Sequence, residues 1–161
     1  MTTVENSPAP SPPYGAYAAI MTTFAGGLAA AGAIARLLDR DPRQSSALDL
    51  VTLSAATFKA ARTLSRDDVG SVIRSPFVEG SPGEDEEPVP TGDMRQALGE
   101  LVTCSRCVGT WAAAGLATAQ IVAPRSGRLL TWTLAAGGIN DFLLAGFAAL
   151  TNRANALERS G

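Results

Sequence analysis

Apolar residues in this 161-residue chain come in blocks that polar or acidic stretches separate. Residues 14–35 (YGAYAAIMTTFAGGLAAAGAIA) run for 22 positions without a charge and show no polar face. At about 1.5 Å rise per residue such a helix is roughly 30 Å long, enough to cross the hydrocarbon of a bilayer. A transmembrane helix is therefore predicted over 14–38, with Gly27, Ala31 and Ala35 as a stripe of small residues for close packing. In residues 46–64, Leu48, Val51, Ala55 and Phe58 share one helical face, while Lys59, Arg62 and Arg66 lie on another. This segment reads either as a spanning helix whose basic side chains snorkel to the interface or as an amphipathic helix lying in the interface. Residues 65–92 form a loop. Ser65 and Asp68 resemble a helix N-cap within it, Pro76 is a stop, and the acidic, Pro- and Gly-rich part 79–92 is expected to be flexible and exposed. Over 93–150, Asp93 and Gln96 suit the start of a short amphipathic helix, which leads into two apolar segments, 108–123 and 129–150, parted by Pro124. Gly109, Ala113 and Ala117, and then Gly138, Phe142 and Gly146, recur four apart on these two segments. A Pro- and Ser-rich disordered tail (1–13) and a polar tail (151–161) flank the whole. The pattern describes an all-α, polytopic membrane protein, a bundle of three to four transmembrane helices.

Composition narrows the function classes. A net charge of −2 gives no basic footprint, so no nucleic-acid partner is expected. There is no histidine, which removes His-based triads, His metal sites and His pH switches. The charge-poor, Ala- and Gly-rich blocks suit tightly packed membrane helices, and residues 1–13 lack the positive region of a signal peptide. No nucleophile–base constellation is apparent. The expected role is non-enzymatic and without a cofactor: a structural or partner-binding membrane subunit in the lipid bilayer, as a homo-oligomer or within a larger membrane complex.

Positive charge orients the helices. With four spans and a cytoplasmic N-terminus, eight of the 13 Lys and Arg residues fall inside and five outside. With three spans and an external N-terminus, the count is eleven inside and two outside. Both topologies put residues 65–107 and the C-terminus on the cytoplasmic side of a bacterial inner membrane. They differ on whether 46–64 spans and on the side of the N-terminus.

Two stretches carry a resemblance. The first is Thr57-Phe58-Lys59-Ala60-Ala61-Arg62-Thr63-Leu64-Ser65-Arg66-Asp67, followed by Ile73-Arg74-Ser75-Pro76-Phe77. The second is Gly99-Glu100-Leu101-Val102-Thr103-Cys104-Ser105-Arg106-Cys107-Val108-Gly109-Thr110-Trp111. Together they resemble a family of small bacterial membrane proteins of unknown function, some of them labelled sporulation proteins, with a C-x-x-C-x-G-x-W signature. The resemblance spans roughly residues 47–150 and marks Phe58, Arg62, Asp67, Arg74, Pro76, Phe77, Glu100, Gly109 and Trp111 as signature positions. It implies a membrane location and a true membrane helix at 47–64, and it supplies no chemistry. The apolar segment 14–35, the long acidic loop, and Lys59 where relatives tend to carry Arg depart from the pattern.

Candidate chemistry gathers at two places. Cys104 and Cys107 suit a redox pair acidified by a helix N-terminus and Arg106, or half of a zinc site completed by carboxylates or a second subunit. They also suit plain packing as small apolar side chains. Asp141, beside Asn140 in the last apolar segment, is a costly intramembrane carboxylate. It fits a proton or ion pathway, with Lys59 or Arg62 as partner, or a neutral hydrogen bond to Thr131, Thr133 or Gln120. Trp111 fits an interfacial anchor.

Overall fold

The computed structural model describes residues 11–40, 46–81 and 85–160. Residues 1–10 of the expected tail, residues 41–45, residues 82–84 of the acidic loop and Gly161 lie outside the described residues. The chain is mostly helical: α1 (Tyr14–Leu37), α2 (Ala47–Ser65), a 3₁₀ turn (Asp68–Gly70), α3 (Ser71–Arg74), α4 (Met94–Thr103), α5 (Ser105–Val122) and α6 (Pro124–Ser160). Between α3 and α4, β1 (Val78–Glu79) pairs antiparallel with β2 (Glu87–Pro88), matching Val78 with Pro88 and Glu79 with Glu87.

Local sequence explains most of the boundaries. Pro12 and Pro13 precede α1, and their carbonyls accept from Tyr14 and Tyr17 N–H. At its other end Asp39 takes the left-handed conformation (φ 52°), Arg40 N–H bonds the Ala35 carbonyl, and Asp39 N–H bonds that of Arg36. That is a Schellman close with aspartate in the place glycine usually fills. Ser46 and Asp49 cap α2 reciprocally: the Asp49 carboxylate accepts from Ser46 N–H (2.9 Å), and Ser46 Oγ accepts from Asp49 N–H (3.2 Å). Pro124 opens α6, where its missing N–H costs nothing. α6 has 37 residues, about 55 Å at helical rise.

The chain divides into two compact units: Met1–Ala30 with Ala61–Trp111, and Ala31–Ala60 with Ala112–Gly161. In the second unit the core is built from small residues and leucine: Ala56, Leu116 and Ala135, flanked by Leu53, Ala55 and Leu134. The α2 face proposed from periodicity is largely the outward one, since Leu48, Val51 and Phe58 are exposed while Leu53 and Ala56 turn inward. Small side chains let helices approach, so the bulky ones are left facing outward. Gly127 serves the α5–α6 turn, because a Cβ there would lie 2.5 Å from the Ala119 carbonyl carbon. Gly138 of the expected stripe is closely packed, whereas Gly146 faces open space.

Among the described residues two helices, α1 and α6, are long and apolar enough to cross a membrane, and only 11% of each apolar window is buried. A core helix of similar composition in a soluble protein would have most of that surface covered.

Candidate functional site

The first unit holds most of the signature residues, among them a buried cation, Arg74. α2 ends at Ser65, and Asp67 folds back on its last turn: Thr63 Oγ1 donates to the Asp67 carboxylate (3.0 Å), with Arg62 Nε 3.7 Å away. The 3₁₀ turn and α3 then bring Arg74 under the end of α2. Its side chain is 0% exposed. Nη1 donates to the carbonyls of Leu64 (2.8 Å) and Asp67 (3.2 Å), satisfying groups that a helix C-terminus otherwise leaves open. Nε and Nη2 form a fork on the two oxygens of Glu86 (2.5 and 3.2 Å), whose side chain is 9% exposed. Gly70 makes the room, since a Cβ there would lie 2.6 Å from Nη1.

Glu86 is the residue that sequence reading missed. The acidic stretch was expected to be exposed and carried no site, yet Glu86 is the buried counter-ion of Arg74. The signal was an Arg in a signature followed by an acidic run, but nothing in the run distinguishes Glu86 from Asp85 or Glu87.

Downstream, Pro76 and Phe77 act through their backbones. The Pro76 carbonyl accepts from Arg95 Nε (2.7 Å) and the Phe77 carbonyl from Val89 N–H (3.2 Å). A Cβ on Gly99 would come 2.5 Å from the Phe77 oxygen and 3.0 Å from Pro88 Cβ, so glycine lets α4 lie against this strand. Asp93 caps α4 by accepting from Arg95 N–H (2.8 Å), and Gln96 reaches back to Gly92 N–H (2.9 Å). The Thr91 hydroxyl, and then the Arg95 N–H, hold the Asp93 carboxyl below its usual range. One turn on, Glu100 accepts from Gln96 Nε2 (2.9 Å) and from the Tyr17 hydroxyl.

This network leads into the cysteine turn. Cys104 is extended (φ −89°, ψ 100°) and breaks the helix between α4 and α5. Its carbonyl accepts from Val108 N–H (3.0 Å), and its sulfur accepts from Cys107 N–H (3.3 Å), so Cys104 caps α5. Ser105 Oγ lies 2.7 Å from Ser65 Oγ, tying the turn to the end of α2. Cys104 is half-buried and Cys107 exposed, and both are free thiols. A hydrogen bond from the Cys107 thiol, the N–H groups of Cys107 and Arg106, and the Arg106 charge hold the Cys104 thiol below its ordinary value. Desolvation and the adjacent Cys104 sulfur push Cys107 up to about 11. Gly109 is half-buried on α5. Trp111, two residues on, packs edge-on against Phe24 with centroids 5.0 Å apart. Among the described residues no three His, Cys, Asp or Glu side chains converge as metal ligands.

The second unit carries the other predicted residues. Asp141 Oδ2 lies 2.9 Å from Lys59 Nζ, with the two side chains 27% and 26% exposed respectively. The Lys59 stem runs along Gly137 and Gly138, and Phe58 stacks on Phe142 at 4.9 Å. Gln120 and Thr131 bond each other (2.9 Å), and Asn140 is exposed.

Comparison with known proteins agrees with the resemblance. Residues 52–146 match the model of a family described as protein of unknown function (DUF1360), and the chain belongs to that family. It is 32% identical over 99 residues to the sporulation protein YjcA of Bacillus subtilis (strain 168), covering 57% of this chain and 84% of that protein. No solved structure matches. The matched range contains the Arg74 centre, the cysteine turn, Lys59 and Asp141, and leaves α1 outside.

Proposed function

We propose that this member of the family is a polytopic protein of the bacterial inner membrane. α1, α2 and α6 span, as does the apolar part of α5 (108–122) that follows the cysteine turn. The role is that of a structural or partner-binding subunit. Membrane insertion is supported by the side chains left uncovered. Met21, Leu28 and Ile34 on α1 are exposed, as are Trp132, Leu143, Leu144 and Phe147 on α6. So much apolar surface along two long helices requires lipid or protein to cover it. Hydroxyls on these helices are already satisfied: Thr22, Thr23, Thr133 and Thr151 each donate to the carbonyl four residues back. Such internal bonding is what a lipid environment demands.

The observation that carries the four-span topology is Arg40. Its guanidinium donates to the carbonyls of Ile121 and Val122, so α1 and α5 end on the same side. A three-span topology with 46–64 on the surface would set those ends on opposite faces. Tyr17 on Glu100 makes the same case at the start of α1. With four spans the positive-inside rule puts the N-terminus, the cysteine turn and the C-terminus in the cytoplasm. The polar last turns of α6, with Asn152, Arg153, Glu158 and Arg159, then extend into water.

A membrane-impermeant maleimide applied to sealed vesicles of known orientation tests this topology. Cys107 is expected to label only when the cytoplasmic face is accessible, as is a cysteine placed at Ser11. Labelling of the two positions from opposite faces would overturn the four-span reading. Extraction in mild detergent from the native membrane tests the subunit role. A stable oligomer or a stoichiometric partner is expected, and a bare monomer would refute the role.

A further inference from the structure

We propose that Cys104 and Cys107 are a dithiol–disulfide exchange site, reversibly oxidised by small disulfides arriving from the aqueous side of the turn. The two thiols sit three residues apart at the start of a helix, where Cα atoms are about 5 Å apart, within the window for a disulfide. The Cys104 sulfur already accepts the Cys107 N–H at 3.3 Å. Cys107 is exposed, so a small disulfide has access to the pair. Arg106, between the two cysteines in sequence, places a positive charge beside Cys104. Glu100, the nearby carboxylate on α4, is engaged by Tyr17 and Gln96. The inference stands apart from the subunit role, because it rests on the turn alone.

The roles of the two thiols follow from their surroundings. Cys104 caps α5, so its thiolate is favoured by helix N–H groups and by Arg106. Cys107 holds its proton until Cys104 has reacted. In the first step the Cys104 thiolate attacks one sulfur of the small disulfide. The Cys104–S bond forms, the external S–S bond breaks and one small thiolate leaves. In the second step Cys107 gives its proton to solvent and attacks Cys104 Sγ. The Cys104–Cys107 bond forms, and the second small thiolate departs. Two electrons pass from the protein dithiol to the external disulfide, which ends as two thiols. Ser105 is bonded to Ser65 (2.7 Å), so closure of the bridge is felt at the end of α2.

The test uses the full chain in mild detergent, equilibrated with glutathione buffers of graded oxidised-to-reduced ratio and read by intact mass after acid quench. The expected product is a monomer lighter by two hydrogens, with a Cys104–Cys107 bridge in its peptide map, reverting in the reduced buffer. Sub-stoichiometric iodoacetamide on the reduced chain should modify Cys104 several-fold faster than Cys107. This follows because the larger thiolate fraction of the more acidic thiol is only partly offset by its lower nucleophilicity. Cys107→Ser should accumulate one glutathionyl group on Cys104. Two freely alkylated thiols at every ratio would overturn the proposal. So would bridging only between chains, preferential modification of Cys107, or retention of a zinc ion that blocks oxidation.

Discussion

Replacing Arg74 should destabilise the protein more than any other single polar substitution in the first unit. The guanidinium has no exposed surface and donates four hydrogen bonds, two to Glu86 and two to the carbonyls of Leu64 and Asp67. In Arg74→Met the volume is roughly kept, but Glu86 loses its counter-ion and two carbonyls lose their donor. Breaking a buried ion pair from one side costs about 3–5 kcal/mol. Glu86 lies one residue before β2 on the edge of a two-stranded hairpin and can relax toward water, so the lower end, about 3 kcal/mol, is expected. Glu86→Gln should cost a similar amount, because an arginine cannot shed its proton to relieve the loss. In the Arg74→Met/Glu86→Leu double variant neither charge remains, and a coupling of about 1.5–3 kcal/mol should be recovered. Arg74→Lys should rescue little, since an ammonium cannot match the fork and both carbonyls at once. The assay is equilibrium unfolding in mixed micelles, followed by the fluorescence of Trp111, which rests on Phe24 in the same unit. Additive single effects, with a coupling within about 0.5 kcal/mol of zero, would refute the reading of Arg74 and Glu86 as one buried unit.

Other expectations concern packing, the second ion pair and a cap. Gly138→Ala should lower stability by about 1–3 kcal/mol, because its Cβ would come 2.7 Å from the Ala55 carbonyl oxygen. Gly146→Ala, with open space around it, should be neutral or slightly stabilising in the same unfolding assay. Lys59→Met or Asp141→Asn should each cost about 1–3 kcal/mol, between an exposed and a buried pair. The swapped Lys59→Asp/Asp141→Lys variant should recover part of that loss. For Asp93 the folded carboxyl is held below its ordinary 3.8. Its contribution is therefore complete above that value and fades as pH falls through the lowered one. Amide exchange in the first turn of α4 should rise over that acidic range in the wild type. In Asp93→Ala the exchange should be faster at neutral pH and lose this dependence.

The helices were legible because their signals are local. Asp93 with Gln96, Pro124 and the uncharged run 14–35 each fix a helix or its boundary from adjacent residues. The Asp141–Lys59 pair was also within reach, since a carboxylate inside a long apolar segment has few cations to choose from. Tertiary choices among equivalent residues were not legible. Nothing in the acidic run singles out Glu86, and the apolar stripe of Leu48, Val51 and Phe58 on α2 looks the same whether it faces protein or lipid. Periodicity reports that a helix has two sides. Where both sides carry apolar residues, it does not report which one is the core.

That ambiguity bears on how the signature should be understood. Phe58 stacks on Phe142 and Trp111 on Phe24, while Arg74, Pro76, Phe77 and Glu100 all act between the end of α2 and the start of α5. Arg74 closes the α2 terminus, Pro76 and Phe77 hold Arg95 and the strand under α4, and Glu100 binds Tyr17. Arg74 and Glu100 spend their bonds on partners within the first unit. The cysteines stand at the one helix break this network supports, with Cys107 exposed and Cys104 capping α5. A scaffold needs helix ends fixed, and two packed apolar residues would have done that at lower chemical risk than two adjacent thiols. Within the first unit, Arg74, Pro76, Phe77 and Glu100 fix the helix ends on either side of this turn, and the glutathione titration decides whether the thiols it presents exchange as proposed.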